Sequence, residues 1–164
     1  MKTRSFFHHV LIVLSILVGV SCNRPSQTQL SVEERLAIED TIRQLARIVE
    51  EGANHLDIDA SFSLFTDEPD FTFSEDGYIL PPKDLLYEIM KPAYDNFSNI
   101  FMSYDTMRVA VLNETAAVFT VEGPWFAVDH SGNQMGGHLV SMFVFARRNN
   151  RWQMIHGHTS HTYK

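Results

Sequence analysis

The chain has 164 residues, of which 45% are hydrophobic and 12% aromatic, including 12 phenylalanines and 7 methionines. That is enough apolar side chain to bury the core of one domain, and it excludes a wholly disordered polypeptide. The formal net charge is −7 and no basic stripe offsets it, which excludes nucleic acid as a partner.

Residues 1–21 stand apart from that core. Lys2 and Arg4 precede an apolar run from Val10 to Val20, which ends at Ser21-Cys22. A basic start, a short apolar segment and a small residue before the cut describe a secretory signal. The run is too short for a membrane-spanning helix of about 20 residues. Val20-Ser21-Cys22 resembles a bacterial lipobox, although Gly19 stands where that motif usually has an aliphatic residue. The resemblance implies that Cys22, the only cysteine, is diacylated and becomes the first residue of the mature lipoprotein. The expectation is a cell-envelope protein that touches the membrane only through this lipid anchor. Residues 22–30 form a polar tether, and loss of Lys2 and Arg4 makes the mature chain more acidic still. A lone cysteine allows no intramolecular disulfide.

Residues 31–164 read as one domain. Ser31 and Glu34 have the spacing of a capping box. Ile38, Ile42, Leu45 and Val49 then recur at helical spacing through about Glu51, and Gly52 closes the helix. Asp57 or Asp59 caps a second short helix that buries Phe62 and Phe65. TDEP (66–69) breaks it. Phe71 and Phe73 alternate with polar residues, Glu75-Asp76-Gly77 makes a turn, and Tyr78 to Leu80 completes a hairpin. The acidic run from Asp67 to Asp76 lacks a calcium loop's oxygen pattern and reads as a solvated hairpin. A third helix is expected over Asp84–Phe97, with Leu85, Leu86, Ile89 and Met90 inward and Pro92 kinking or shortening it. From Phe101 the period changes to two. Strands are expected over Phe101–Leu112, over Ala116–Phe126 with a break or bulge at Gly123-Pro124, over His138–Arg147 and over Arg151–Ser160. Asp129–Gly137 is a loop and Asn149-Asn150 a tight turn. Helices first and long antiparallel strands afterwards make an α+β domain, whose sheet can curl into a cone over the helices.

This order, ending on a Trp-x-x-x-His-x-His-x-Ser segment, resembles the NTF2-like superfamily, in particular its SnoaL-like and DUF4440-type domains. The residues that carry the likeness are Asp57 or Asp59 with Phe65, Gly77, Trp125, Gly137 with Ser141, and Trp152, His156, His158 and Ser160. The resemblance implies a curved mixed or antiparallel sheet wrapped around three helices, a pocket inside the cone and often a homodimer. It implies no particular reaction, because the superfamily holds lyases and isomerases beside non-catalytic modules.

The tail raises the question of chemistry. Strict alternation puts Trp152, Met154, His156, His158 and Ser160 on one face, and Ile155 and Gly157 on the other. His156 and His158 are then about 6.5 Å apart along the strand. A metal would need a third ligand, for which His138, Glu122 and Asp129 are the available residues, so no metal and no cofactor is assigned. As a general acid/base, His156 or His158 would work with Tyr78 or Tyr104. The plainer reading makes the two histidines polar contacts in a pocket lined also by Trp125, Tyr104, Glu122, His138 and Phe62. The expected function is binding of a small, mainly apolar molecule. A lyase- or isomerase-type enzyme and a non-catalytic dimerisation module are the alternatives. His161, at the strand end, is left out of each reading.

Overall fold

The computed structural model describes residues 30–163. Cys22, the signal-like segment and all of the tether except Leu30 lie outside the described residues.

Helix α1 (Val32–Asn54) begins at the capping box. Ser31 Oγ accepts the Glu34 N–H at 3.1 Å, and the Glu34 carboxylate accepts the Ser31 N–H at 2.9 Å. The helix continues past Gly52 rather than ending there. Gly52 is needed for close approach: a Cβ at this position would lie 2.7 Å from the backbone nitrogen of Ser61, in the next helix. That helix, α2 (Ile58–Phe62), is capped by Asp57, whose carboxylate takes the Ala60 N–H at 2.9 Å. Helix α3 (Lys83–Asn96) runs on through Pro92. Its inward stripe is Leu86, Met90 and Tyr94 at four-residue steps. Leu85 and Ile89, expected inside, sit one residue (about 100°) around the helix and are each 54% exposed.

The strands are β1 (Thr72–Glu75), β2 (Tyr78–Ile79), β3 (Phe97–Met102), β4 (Thr106–Asn113), β5 (Ala116–Asp129), β6 (Gln134–Arg148) and β7 (Arg151–Tyr163). They form one sheet in the order β2-β1-β7-β6-β5-β3, with β4 also paired to β5. Only β1 and β7 run parallel among these pairings, so the sheet is mixed. Asp76-Gly77 and Asn149-Asn150 hold positive φ at both central turn residues, the geometry that matches hairpin twist.

Two expectations about the strands change. The stretch 101–112 is two strands, not one, and β5 passes unbroken through Gly123-Pro124. The two facts have one cause. β4 pairs with β5 as far as Glu122 and β3 takes over at Trp125, so the partner changes opposite Gly123-Pro124. The chain crosses there at Ser103, whose N–H donates to the Pro124 carbonyl at 3.1 Å. A Cβ on Gly123 would collide with the Ser103 carbonyl oxygen. The supposed loop over 129–137 shrinks to a short turn, because the Asp129 carboxylate gathers the Ser131 and Asn133 N–H groups.

The largest change lies in β7. Its register with β6 runs Met142↔His158 and Val144↔His156, then jumps to Phe145↔Met154. Ile155 is therefore one extra residue, and a one-residue slip exchanges the faces of a strand. Trp152 and Met154 pack on the core, but beyond the bulge the inward residues are Gly157, Thr159 and His161. His156, His158 and Ser160 are exposed on the outer face. The shared face drawn from strict alternation is corrected accordingly.

The core sits between the concave side of the sheet and α1 to α3. Phe65, Phe73, Phe143 and Phe119 form a run of stacked rings with centroid steps of 6.1, 6.2 and 6.3 Å. Gly157 makes room for that run: a Cβ there would lie 2.6 Å from the Phe73 ring. The buried Glu50 carboxylate accepts the Tyr104 N–H at 3.0 Å and pairs with Arg47, which pins α1 to the crossover between β3 and β4.

Candidate functional site

A cavity of about 160 Å³ lies inside the cone. A cavity of that size holds a benzene-sized molecule. Its walls are mostly apolar and include Phe62, Phe65, Phe73 and Phe143 together with Leu86 and Met90 of α3. Two tyrosines also reach it. Tyr94 donates its hydroxyl to Ser61 Oγ at 3.1 Å. Tyr104 is 4% exposed, and among the described residues its hydroxyl has no hydrogen-bond partner. Burial, then the Glu50 carboxylate, push the Tyr104 hydroxyl far above the ordinary phenol range, so it stays a neutral donor.

Polar residues converge where β1, β7 and β6 lie side by side. The register places Glu75 beside Thr159 and Thr159 beside Ser141. All three line the cavity, and the two hydroxyls are bonded at 2.8 Å. His161, one inward position further along β7, lines it too. Its Nδ1 lies 3.1 Å from Asp76 Oδ2 and 3.4 Å from Glu75 Oε1. With carboxylates on both sides, Nδ1 is assigned the proton and Nε2 is the basic nitrogen. The other oxygen of Asp76 takes the His161 backbone N–H at 2.7 Å, and Tyr163 donates its hydroxyl to Oδ2 at 2.9 Å.

The two carboxylates differ in environment. Burial drives the Glu75 carboxyl above its ordinary value despite the nearby His161, and the Asp76 charge adds to the rise. Burial also pushes Asp76 upward, but bonds from the His161 amide, the Tyr163 hydroxyl and the His161 ring outweigh it and hold Asp76 low. One acidic group that holds a proton readily thus stands beside one that stays ionised. Trp125 packs its ring edge-on against His161 at 5.1 Å, and its buried indole N–H is unpartnered among the described residues.

Of the residues expected in the pocket, Phe62 and Tyr104 line the cavity. His156 and His158 lie outside it on the convex face, where Ser74 Oγ meets His158 Nδ1 at 3.0 Å. Glu122 also faces outward, in a depression shared with Thr106 and Arg108. His138 is exposed opposite Thr162. Tyr78 is 74% exposed on the hairpin, away from the cavity. Trp125 is on the concave side but behind His161 rather than in the cavity wall. Glu75, Thr159, Ser141 and His161 were missed. Gly157 was the available signal, since an isolated strand glycine marks a bulge or a close approach. Among the described residues no group of three His, Cys, Asp or Glu side chains is arranged to hold a metal ion.

The sequence model of the SnoaL-like domain matches residues 38–164. No curated protein matches the chain. Among solved structures, an NTF2-like superfamily protein from Salmonella enterica serovar Typhimurium aligns with a TM-score of 0.69 at 18% identity, covering 79% of this chain and 94% of that one. A conserved protein from Planctomyces limnophilus aligns with a TM-score of 0.67 at 21% identity, covering 78% and 98%. A provisional scytalone dehydratase from Novosphingobium aromaticivorans aligns with a TM-score of 0.72 at 10% identity, covering 80% and 89%. At these identities the likeness shows the fold.

Proposed function

Because the chain belongs to the SnoaL-like domain family of the NTF2-like superfamily, we propose that its cone binds a small, mainly apolar molecule. Glu75 and His161 are then the polar contacts, in the place first given to His156 and His158. The observation that carries this is a mostly apolar cavity with a polar corner formed by Glu75, Thr159, Ser141 and His161. The volume limits the occupant to about one ring, since roughly 150 Å³ suffices for benzene. Native mass spectrometry of the protein purified from its host tests the reading. A retained small molecule supports it, and an empty protein under gentle desorption counts against it.

A second reading is lyase- or isomerase-type proton transfer. The His161–Asp76 bond favours it, because it fixes the imidazole with Nε2 as the base. Tyr104 would supply a neutral hydroxyl to polarise a carbonyl. Loss of solvent-exchangeable label from a bound ketone, abolished by His161→Gln, is the result this reading requires.

Two further properties belong with these proposals. Envelope anchoring through Cys22 would be seen as incorporation of labelled fatty acid that Cys22→Ala removes. Homodimer formation would use the convex sheet face, where Val140 and Met142 are exposed side by side with the outward histidines. Light scattering at micromolar concentration distinguishes dimer from monomer.

A further inference from the structure

The polar corner has an imbalance of charge and of hydrogen bonds. Among the described residues no N–H or O–H donates a hydrogen bond to the Glu75 side chain. The nearest candidate is His161 Nδ1 at 3.4 Å, and that proton is committed to Asp76. The Glu75 side chain is 38% exposed, so water reaches part of it while no protein donor among the described residues pairs with it. Among the described residues no lysine or arginine lines the cavity. The nearby Arg47 is bonded to Glu50 and to the Tyr104 carbonyl, and Lys83 to Asp67 and the Phe65 carbonyl. A half-buried carboxylate without a donor costs stability, and an occupant carrying donors would remove that cost.

We propose that the occupant is a small single-ring amine bound as its ammonium ion, a conclusion that rests on the cavity being the binding site. An ammonium group presents three N–H donors. The register row Glu75–Thr159–Ser141 presents oxygens on three adjacent strands, all lining the same corner. In the Ser141–Thr159 pair each oxygen keeps a spare lone pair. Behind that corner the walls carry the rings of Phe73, Phe143, Tyr94 and Tyr104, an aromatic lining that accommodates a ring. The same features reject anions: a carboxylate-bearing ligand of equal size would meet Glu75, with no lysine or arginine among the described residues lining the cavity to balance it. The net charge of −7 steers in the same direction, drawing cations toward the protein.

The test is calorimetric titration of the full chain at pH 7 with three isosteric probes: benzylamine, benzyl alcohol and benzoate. Benzylamine should bind at least about tenfold tighter than benzyl alcohol, because a charge-assisted hydrogen bond is about twice as strong as a neutral one. Benzoate should be the weakest. Glu75→Gln should erase the amine preference, so that benzylamine binds no tighter than benzyl alcohol, while Glu75→Asp should retain the preference. The conservative pair controls for a variant that folds poorly. Benzoate binding as tightly as benzylamine, or an amine preference that survives Glu75→Gln, would overturn the proposal. If benzyl alcohol still binds in either of those cases, the cavity remains the binding site and only the amine class falls. If no probe binds, both fall.

Discussion

His161 and Asp76 are joined twice: one Asp76 oxygen takes the histidine's backbone N–H at 2.7 Å, and the other lies 3.1 Å from its ring Nδ1. Asp76 can do this because it occupies the left-handed position of the β1–β2 turn, with φ of +46°. The turn therefore orients the imidazole and ties down the end of β7. Asn tolerates the same backbone conformation, so Asp76→Asn removes charge while sparing the turn.

For this carboxylate the linkage sign is that of a depressed group. Its bonds to His161 and Tyr163 stabilise the fold above the ordinary carboxylate range of about pH 4 and are lost as pH falls through the lower folded value. The difference in urea stability between wild type and Asp76→Asn should be largest near pH 7 and shrink as pH falls below the ordinary value of 3.8. A difference that does not change with pH would mean that the charge of Asp76 plays no part.

Glu75 carries the opposite sign. Its folded pKa is raised above the ordinary value of 4.5, so the folded state binds the proton better and ionisation at neutral pH opposes folding. The facing groups are His161 and Asp76, and both remain in the variant. Glu75→Gln should melt higher than wild type at pH 7, and the gain should fade as pH drops toward 4.5. Stabilisation at the cost of binding is what a functional carboxylate in an apolar corner predicts. Thermal melts across that range check it.

The histidines separate by face. His156→Ala with His158→Ala should change stability by no more than about 0.5 kcal/mol each, as exposed substitutions do. That pair should leave probe binding intact. His161→Ala should weaken benzyl alcohol binding and remove a partner from both acids. Equal effects from the two sets would place the site on the wrong side of the sheet.

Packing around the ring stack gives a further expectation. Phe143→Ala should cost about 3–5 kcal/mol and enlarge the cavity enough for bulkier probes. Gly157→Ala should cost about 1–3 kcal/mol, because the added methyl meets the Phe73 ring at 2.6 Å and that ring is held between Phe65 and Phe143. Chemical denaturation measures both.

Much of the fold was legible because local rules governed it. Ser31 and Glu34 cap α1 as their spacing requires, Asp57 caps α2, and the Asp76-Gly77 and Asn149-Asn150 turns follow from residues that tolerate positive φ. The misreadings came from tertiary relationships. Gly52 resembles a stop signal but serves close helix contact, and Gly123-Pro124 resembles a break but faces a change of partner strand. The site suffered most from the single residue Ile155. Alternation cannot register one extra residue, so every side chain after it was assigned to the wrong face. His161 lies at the strand end, beyond the extra residue, and Glu75 reads from sequence as part of an acidic turn. The partners that give them their roles, Thr159 and His161 for Glu75 and Asp76 for His161, lie far away in sequence.

The central claim is that a small molecule enters the cone and meets Glu75 and His161. Imidazole-resolved nitrogen NMR of the full chain during titration with benzyl alcohol tests it most directly, whatever the natural occupant's charge. The account predicts saturable shifts in the His161 ring nitrogens, with His156, His158 and His138 unmoved. Saturable shifts confined to His156 and His158, or none at any histidine, would contradict it.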